Sequence, residues 1–225
     1  MPKRKLQRFA EIETFKNVFQ HIQYEESVPD FHLKDKWNEL YFKNTNPIVL
    51  ELGCGKGEYT IGLAEKYPDK IFIGVDLKGN RIWKGAKAAL EKNMTNVAFV
   101  RTGVDIINSV FDKNEVDEIW ITFPDPQPQK PRERKRLTSP RFLERYKNIL
   151  APAGCIHLKT DNFPFYEYTL EIIKENSYPV IDYTHDLYGD TGTARPEATS
   201  IMTYYEKKFT DKGIKICYLK FKLNA

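Results

Sequence analysis

The run Ile48-Val-Leu-Glu-Leu-Gly-Cys-Gly-Lys-Gly57 constrains the fold of this chain more than any other stretch. Apolar and β-branched residues lead to a carboxylate, Glu51, and then to glycines at 53, 55 and 57. A short apolar run bounded by Pro47 and a glycine cluster suits a strand buried on both faces, as in a parallel sheet, and Glu58 to Tyr67 then reads as a helix. Glycine lets the backbone approach a ligand closely. The spacing G-x-G-x-G is neither the G-x-G-x-x-G of dinucleotide sites nor the Gly-Lys-Ser/Thr ending of a phosphate-cradling loop. A second apolar run ending in a carboxylate, Ile71 to Asp76, follows about 20 residues later, where doubly wound sheets keep the acceptor for ribose hydroxyls. Together the turn and Asp76 predict a nucleoside-cofactor site.

The rest of the chain continues the alternation of strand and helix. Asn80 to Asn93 carries Ile82, Ala86, Ala89 and Leu90 on one helical face, Val97 to Arg101 reads as a strand, and Val116 to Phe123 as another. Ser139 and Pro140 supply an N-cap and a first-turn proline for a helix through Leu150. A strand over 155–160, a helix over 164–176 and strands at 180–183 and 214–221 complete the pattern. The last two are expected to pair antiparallel at one sheet edge. This order predicts an α/β, doubly wound, mostly parallel sheet. At 225 residues one domain is expected, with 1–46 as an N-terminal arm and covering helix and 47–225 as the catalytic core. Trp37, Leu40 and Tyr41 fall at helical spacing and are expected to pack rather than stack on bases. The tip from Lys3 to Arg8 and the Gly/Thr/Pro/Asp-rich stretch 187–200 are expected to be mobile until polyanion binds.

A net charge of +4 is modest, but the positive charge is clustered at Lys3-Arg4-Lys5 with Arg8 and again from Lys130 to Arg136. Two such clusters beside a nucleoside-cofactor domain favour an anionic polymer, RNA or DNA, as substrate. No apolar run is long enough to span a bilayer and the first residues lack the apolar core of a secretory signal, so a cytoplasmic location is expected. Cys54, Cys155 and Cys217 are odd in number and scattered, which implies neither a disulfide framework nor a metal site.

Immediately after the fourth strand comes Pro124-Asp-Pro-Gln-Pro-Gln-Lys-Pro-Arg-Glu-Arg-Lys-Arg136. Its four prolines cannot continue a sheet, and they restrict the residues before them to extended backbone. Open α/β sheets bind ligands beyond the carboxyl ends of their strands, so Asp125 is expected to face the reacting end of the cofactor.

The turn after the first strand, with Glu51, Gly53 and Gly55, resembles the E/D-x-G-x-G-x-G motif of class I S-adenosylmethionine-dependent methyltransferases. The loop Phe-Pro-Asp-Pro-x-Pro with its basic tract and Arg-Leu-x-x-Pro-x-Phe-Leu resembles the signature of the tRNA guanine-N7 methyltransferases. Lys159-Thr-Asp-Asn162 and Thr203-Tyr-Tyr-Glu-Lys-Lys-Phe209 resemble that family's later landmarks. The resemblance implies a Rossmann-like, seven-stranded sheet with an antiparallel edge strand. It also implies transfer of methyl from S-adenosyl-L-methionine, with no metal, to N7 of the guanosine at position 46 in the tRNA variable loop. It assigns Glu51, Gly53, Gly55, Asp76, Gly103 and Asp125 to the cofactor, with Asp125 catalytic, and Gln129, Lys130, Asp161, Thr203 and Glu206 to the tRNA. The enzyme is expected to act as a monomer or homodimer.

Several positions depart from the family pattern: Gln127 stands where a Trp is usual, Gln129 where a Lys is usual, Gly103 where an Asp is frequent, and Tyr204 where a Glu is frequent. Adenine at Gly103 would then be read by backbone alone. Guanine N7 has an in-plane lone pair and no proton, so attack needs in-line positioning more than a general base. His157, in an apolar run, is expected to be a core residue. Asp161 competes between substrate contact and capping the helix before Pro164. Three other readings stay open: an amino-directed methyltransferase, which would want Asp/Asn-Pro-Pro-aromatic after the fourth strand; a small-molecule methyltransferase; and an RNA-binding protein that keeps the fold without activity.

Overall fold

A computed structural model describes residues 3–22 and 28–223. Chain order is α1 (Lys3–Ile12), β1 (Val18–Gln20), β2 (Ile48–Leu52), α2 (Glu58–Lys66), β3 (Ile71–Asp76), α3 (Gly79–Glu91), β4 (Val97–Arg101), β5 (Val116–Thr122), α4 (Pro140–Ile149), β6 (Leu150–Thr160), α5 (Phe163–Glu175), β7 (Val180–Thr184), α6 (Pro196–Thr199), α7 (Tyr204–Thr210) and β8 (Cys217–Phe221). The strands form one sheet in the order β1-β4-β3-β2-β5-β6-β8-β7. All pairings from β1 to β6 are parallel, and β8 runs antiparallel to both β6 and β7. Only β8 is reversed, and β7, outermost at that edge, runs the same way as β1 to β6.

The sheet has eight strands, not the expected seven. The extra strand comes from the segment read as an arm: Val18 to Gln20 pairs in register with Phe99 to Arg101 of β4. Three residues are too few to show a period of two, which is why composition did not expose it. The basic tip is likewise ordered, as α1, and this helix packs on α3. In 187–200, Arg195 is almost fully buried and pairs with Asp182 at 2.7 Å and Asp190 at 3.0 Å, so that segment is tied to β7 rather than free.

Alternation along β2 divides the core. Ile48, Leu50 and Leu52 face one side, packed with α4 and α5, while Val49 and Glu51 face the other, toward α2. Trp37 lies in a short π-helical turn over Trp37–Phe42, fully buried, stacked on Phe111 at 5.6 Å, with its indole N–H donating to the Val110 carbonyl. Leu40 on the same turn stays about half exposed. His157 is a core residue: its ring stacks on Trp120 at 3.9 Å and is hydrogen-bonded to Tyr218 and Glu118. Strand order reverses between β2 and β5, which places a crevice beyond their carboxyl ends.

Candidate active site

The glycine turn crosses that crevice. Gly53, Gly55 and Gly57 all have positive φ, +75°, +55° and +69°, which side-chain-bearing residues rarely adopt, so the alternate glycines are a conformational requirement. On one side of Gly53 lies a cleft of about 520 Å³, lined by Glu51, Cys54, Gly55, Arg81, Thr122, Phe123 and Thr203 to Tyr205 among others. On the other side a shallower one of about 790 Å³ is bounded by Asp76, Thr102, Gly103 and Phe142. Gly53 is the residue they share.

Glu51 holds the first cleft together. One carboxylate oxygen accepts from the N–H and hydroxyl of Thr60 on α2; the other accepts from the Thr122 hydroxyl at the end of β5, at 2.6 Å. Burial lifts its carboxyl to about 7; the three donors oppose the rise and the charge of Asp76 adds to it. Asp76 organises the second cleft. Its Oδ2 accepts from Gly55 N–H at 3.0 Å and its Oδ1 from Lys78 N–H at 2.7 Å, which leaves each oxygen a lone pair for a ligand hydroxyl.

Gly103 has ordinary extended backbone, and a Cβ built there would meet nothing within 4 Å. The position faces open space in the second cleft, so a side chain is missing there by sequence and not for lack of room. Next to it, the Thr102 hydroxyl is buried without a hydrogen-bond partner among the described residues. A cleft with a carboxylate acceptor, an unpaired hydroxyl and a glycine-walled entrance fits a nucleoside.

Asp125 is exposed, and its Oδ1 accepts from Gln127 N–H at 3.0 Å, closing a local turn that carries Gln127 at φ +44°. The loop is held by Arg136, whose guanidinium donates to the carbonyls of Pro126 (3.1 Å) and Gln127 (3.4 Å) and stacks on Tyr168. Proline stiffness is thus only part of the explanation. Gln129 and Lys130 open a 3₁₀ turn over Lys130–Lys135 whose Lys130, Arg132, Arg134 and Lys135 side chains are exposed. Ser139, expected to cap α4 with its side chain, instead donates to the Arg134 carbonyl and closes this basic turn.

Register pairs Thr122 with Lys159, so Asp125 and Asp161 emerge beyond the ends of adjacent parallel strands. The cap of α5 is Asn162, which accepts from Phe165 N–H at 2.9 Å. Asp161 is therefore free of the capping role. Partial burial raises its carboxyl above the ordinary range, offset in part by its own backbone N–H.

Thr203 lines the first cleft and caps α7 in a reciprocal capping box with Glu206. Glu206 itself is fully buried and faces away from solvent. It pairs with Lys159 at 2.7 Å and accepts from the Tyr188 hydroxyl at 2.7 Å. In this arrangement Glu206 reaches the cleft only through the segment it holds. Sequence reading named Lys159 only as the start of a landmark and Arg136 only as part of a basic cluster, and it did not single out Thr60 or Thr122. A lysine in the apolar run Cys155 to Thr160 was a usable signal; its pairing with Glu206, 47 positions on, was not. Tyr204 and Tyr205, both exposed, form the outer wall of the first cleft, where Lys56 lies 5.1 Å from the Tyr204 ring.

Residues 45–219 match a family model described as a putative methyltransferase. The chain is 50% identical over 221 residues, 98% of each chain, to a tRNA (guanine-N(7)-)-methyltransferase of Christiangramia forsetii. It is 48% identical to one of Bacteroides fragilis, over 99% of this chain and 87% of that one. Among solved structures, a 16S rRNA methyltransferase, KamB, superposes with a TM-score of 0.64 over 89% of this chain and 97% of its own. At 16% identity it is similar in fold alone.

Proposed function

The chain belongs to the tRNA (guanine-N7)-methyltransferase family, and from that premise we propose how its cleft does the work. The protein methylates N7 of guanine in tRNA, with S-adenosyl-L-methionine as donor. We assign the reaction to the guanosine at position 46 of the variable loop, carried out in the cytoplasm by a single domain of which residues 1–46 are an integral part.

When bound, the cofactor supplies an electrophilic sulfonium methyl. Gly53 and Gly55 give it a backbone-lined seat, Asp76 takes its ribose hydroxyls, and Gly103 with Thr102 borders its adenine. Glu51 fixes the first turn of α2 against the end of β5, so the wall of the seat does not shift. The base brings its own lone pair, so no side chain has to remove a proton before attack. The positive charge that develops on the methylated ring is what the protein must meet, and a fixed carboxylate in a water-poor site stabilises it.

Asp125 and Asp161 divide that work: one accepts from guanine N1–H and the exocyclic amine, the other balances the charge. Gln129, Lys130 and the exposed arginines after them hold phosphates. The observation that carries this reading is the register of β5 with β6, which brings both acids out beyond adjacent strand ends, Asp125 from the strand that borders the reversal of strand order.

The test is transfer of labelled methyl from S-adenosyl-L-methionine to tRNA lacking the modification, followed by nucleoside analysis and mapping. Label is expected as 7-methylguanosine at the variable-loop position. Label elsewhere overturns the assigned position. The same assay on Asp161→Asn is expected to lose at least tenfold in turnover, and unchanged turnover removes Asp161 from the reaction.

A further inference from the structure

We infer that the α1/α3 face is a second tRNA-binding surface, separate from the basic turn after β5, which holds the phosphate backbone of the tRNA body while the cleft holds its guanine. The inference rests on the tRNA-methyltransferase reading. Its basis is a juxtaposition the sequence does not display. Arg81, Lys84 and Lys87 follow Lys78, the residue that enters α3, at intervals of three, so each neighbours the next across one turn while the set winds around the solvent side of the helix. From the rim of the first cleft, where Arg81 is a lining residue, the set continues along the helix to Lys87 for roughly 9 Å.

Against this row packs α1, the N-terminal basic helix. The Arg8 guanidinium carbon lies 4.5 Å from the centroid of the Trp83 ring on α3, and Lys87 Nζ lies 5.1 Å from the same ring. Lys5 stands one turn before Arg8 on α1. Two charge groups 70 or more residues apart thus merge into one ridge.

Such a ridge costs stability by itself, because like charges at helical spacing repel. Compensation is sparse. Among the described residues only Lys84 has a carboxylate within ion-pair distance, Glu58 at 3.5 Å. Glu11, the nearby acid on α1, instead accepts from the Trp83 indole N–H at 2.6 Å. That bond fixes the ring under its two cations, neither of which has a carboxylate within ion-pair distance among the described residues. A weakly compensated patch of cations held on two packed helices and reaching the rim of the cleft suits a polyanion, a nucleic-acid backbone.

The experiment compares the triple variant Lys5→Gln, Arg8→Gln, Lys87→Gln with a second triple, Lys36→Gln, Lys113→Gln, Lys174→Gln, in the full-length protein. The second set removes the same charge from exposed positions elsewhere. None of the six lies in the cleft. For the ridge triple, the KM for tRNA is expected to rise at least tenfold near physiological salt. The slope of log kcat/KM against log salt should fall by about one per lost phosphate contact. Turnover at saturating tRNA and the cofactor Kd should stay as in the parent, with less than a twofold change in KM for the second triple.

An unchanged KM and slope for the ridge triple overturns the proposal, as does an equal shift in both triples, which would reduce the effect to net charge. Thermal melts of both triples within a few degrees of the parent exclude misfolding as the cause. A parent protein that fails to methylate tRNA overturns the underlying functional reading instead, and is seen before any variant is made.

Discussion

At the scale of single residues, Glu51 shows how one side chain carries both architecture and pH dependence. Its carboxyl, at about 4.5 in an unfolded chain, rises to about 7 in the native state because burial outweighs its three hydrogen bonds. Between those two values the native state binds more protons than the unfolded one, so stability is greatest at low pH and falls as pH rises toward 7, by roughly 3 kcal/mol. Glutamine has no such transition, keeps an acceptor for Thr60 N–H and gains a donor for Thr122. Urea unfolding of Glu51→Gln across this range is expected to lack that fall, leaving the variant more stable than the parent above neutral pH while cofactor affinity drops. A parent-like pH slope in the variant would show that some other group titrates. Glu51 was legible as a site residue because it closes an apolar strand before glycines. Its partners Thr60 and Thr122, 9 and 71 positions away, were not, because threonine in a helix or strand carries no sequence mark of what its hydroxyl meets.

Among the elements, α7 is held in an unusual way. A seven-residue helix is too short to be stable alone, and Glu206 is its one buried residue. The helix whose cap and first turn form the cleft wall Thr203 to Tyr205 is thus moored by an ion pair, Glu206 with Lys159. Lys159 also donates to the Ala198 carbonyl at 2.6 Å and lies 4.9 Å from the Tyr59 ring. Through Lys159 the wall is tied to β6, two residues before Asp161. Removing one partner of a buried pair strands the other charge, so Lys159→Met is expected to cost about 3–5 kcal/mol. Adding Glu206→Gln removes the stranded charge while keeping an acceptor for Tyr188, and most of that loss should return. Chemical denaturation measures the recovery, and steady-state kinetics the consequence: the recovered double variant should still show a raised KM for tRNA, because the wall no longer has its electrostatic mooring. A double variant with parental KM would make the pair a matter of stability alone. Apolar patterns and cap signals located the elements from β2 to α5, except that β6 begins at Leu150, five residues before the expected strand. They missed β1 and misjudged α1, whose order comes from contacts with β4 and α3 rather than from local preference.

For the whole molecule, the question is where the catalytic domain begins. The sequence reads residues 1–46 as an arm and covering helix of a single domain, and the family model's match starts at residue 45. Packing ties this segment to the core. Phe31, Leu33, Trp37 and Phe42 are buried in the same cluster as Leu50, Ile73, Val100 and Phe111. Asn17 donates from its side chain to the Ala86 carbonyl of α3, and β1 covers the edge of β4. Burial of four large apolar side chains is worth on the order of 10 kcal/mol, which is comparable with the whole net stability of a domain of this size. Their loss would also leave β4 as an unpaired edge, open to association with other chains. A chain restricted to residues 47–225 contains every glycine and carboxylate of the proposed site, yet is expected not to fold. It should show no cooperative thermal transition, weak near-ultraviolet circular dichroism and concentration-dependent aggregation. A cooperative transition with retained cofactor binding in 47–225 would restore the division into arm and core. Otherwise residues 1–46 are part of what holds the chemistry in place.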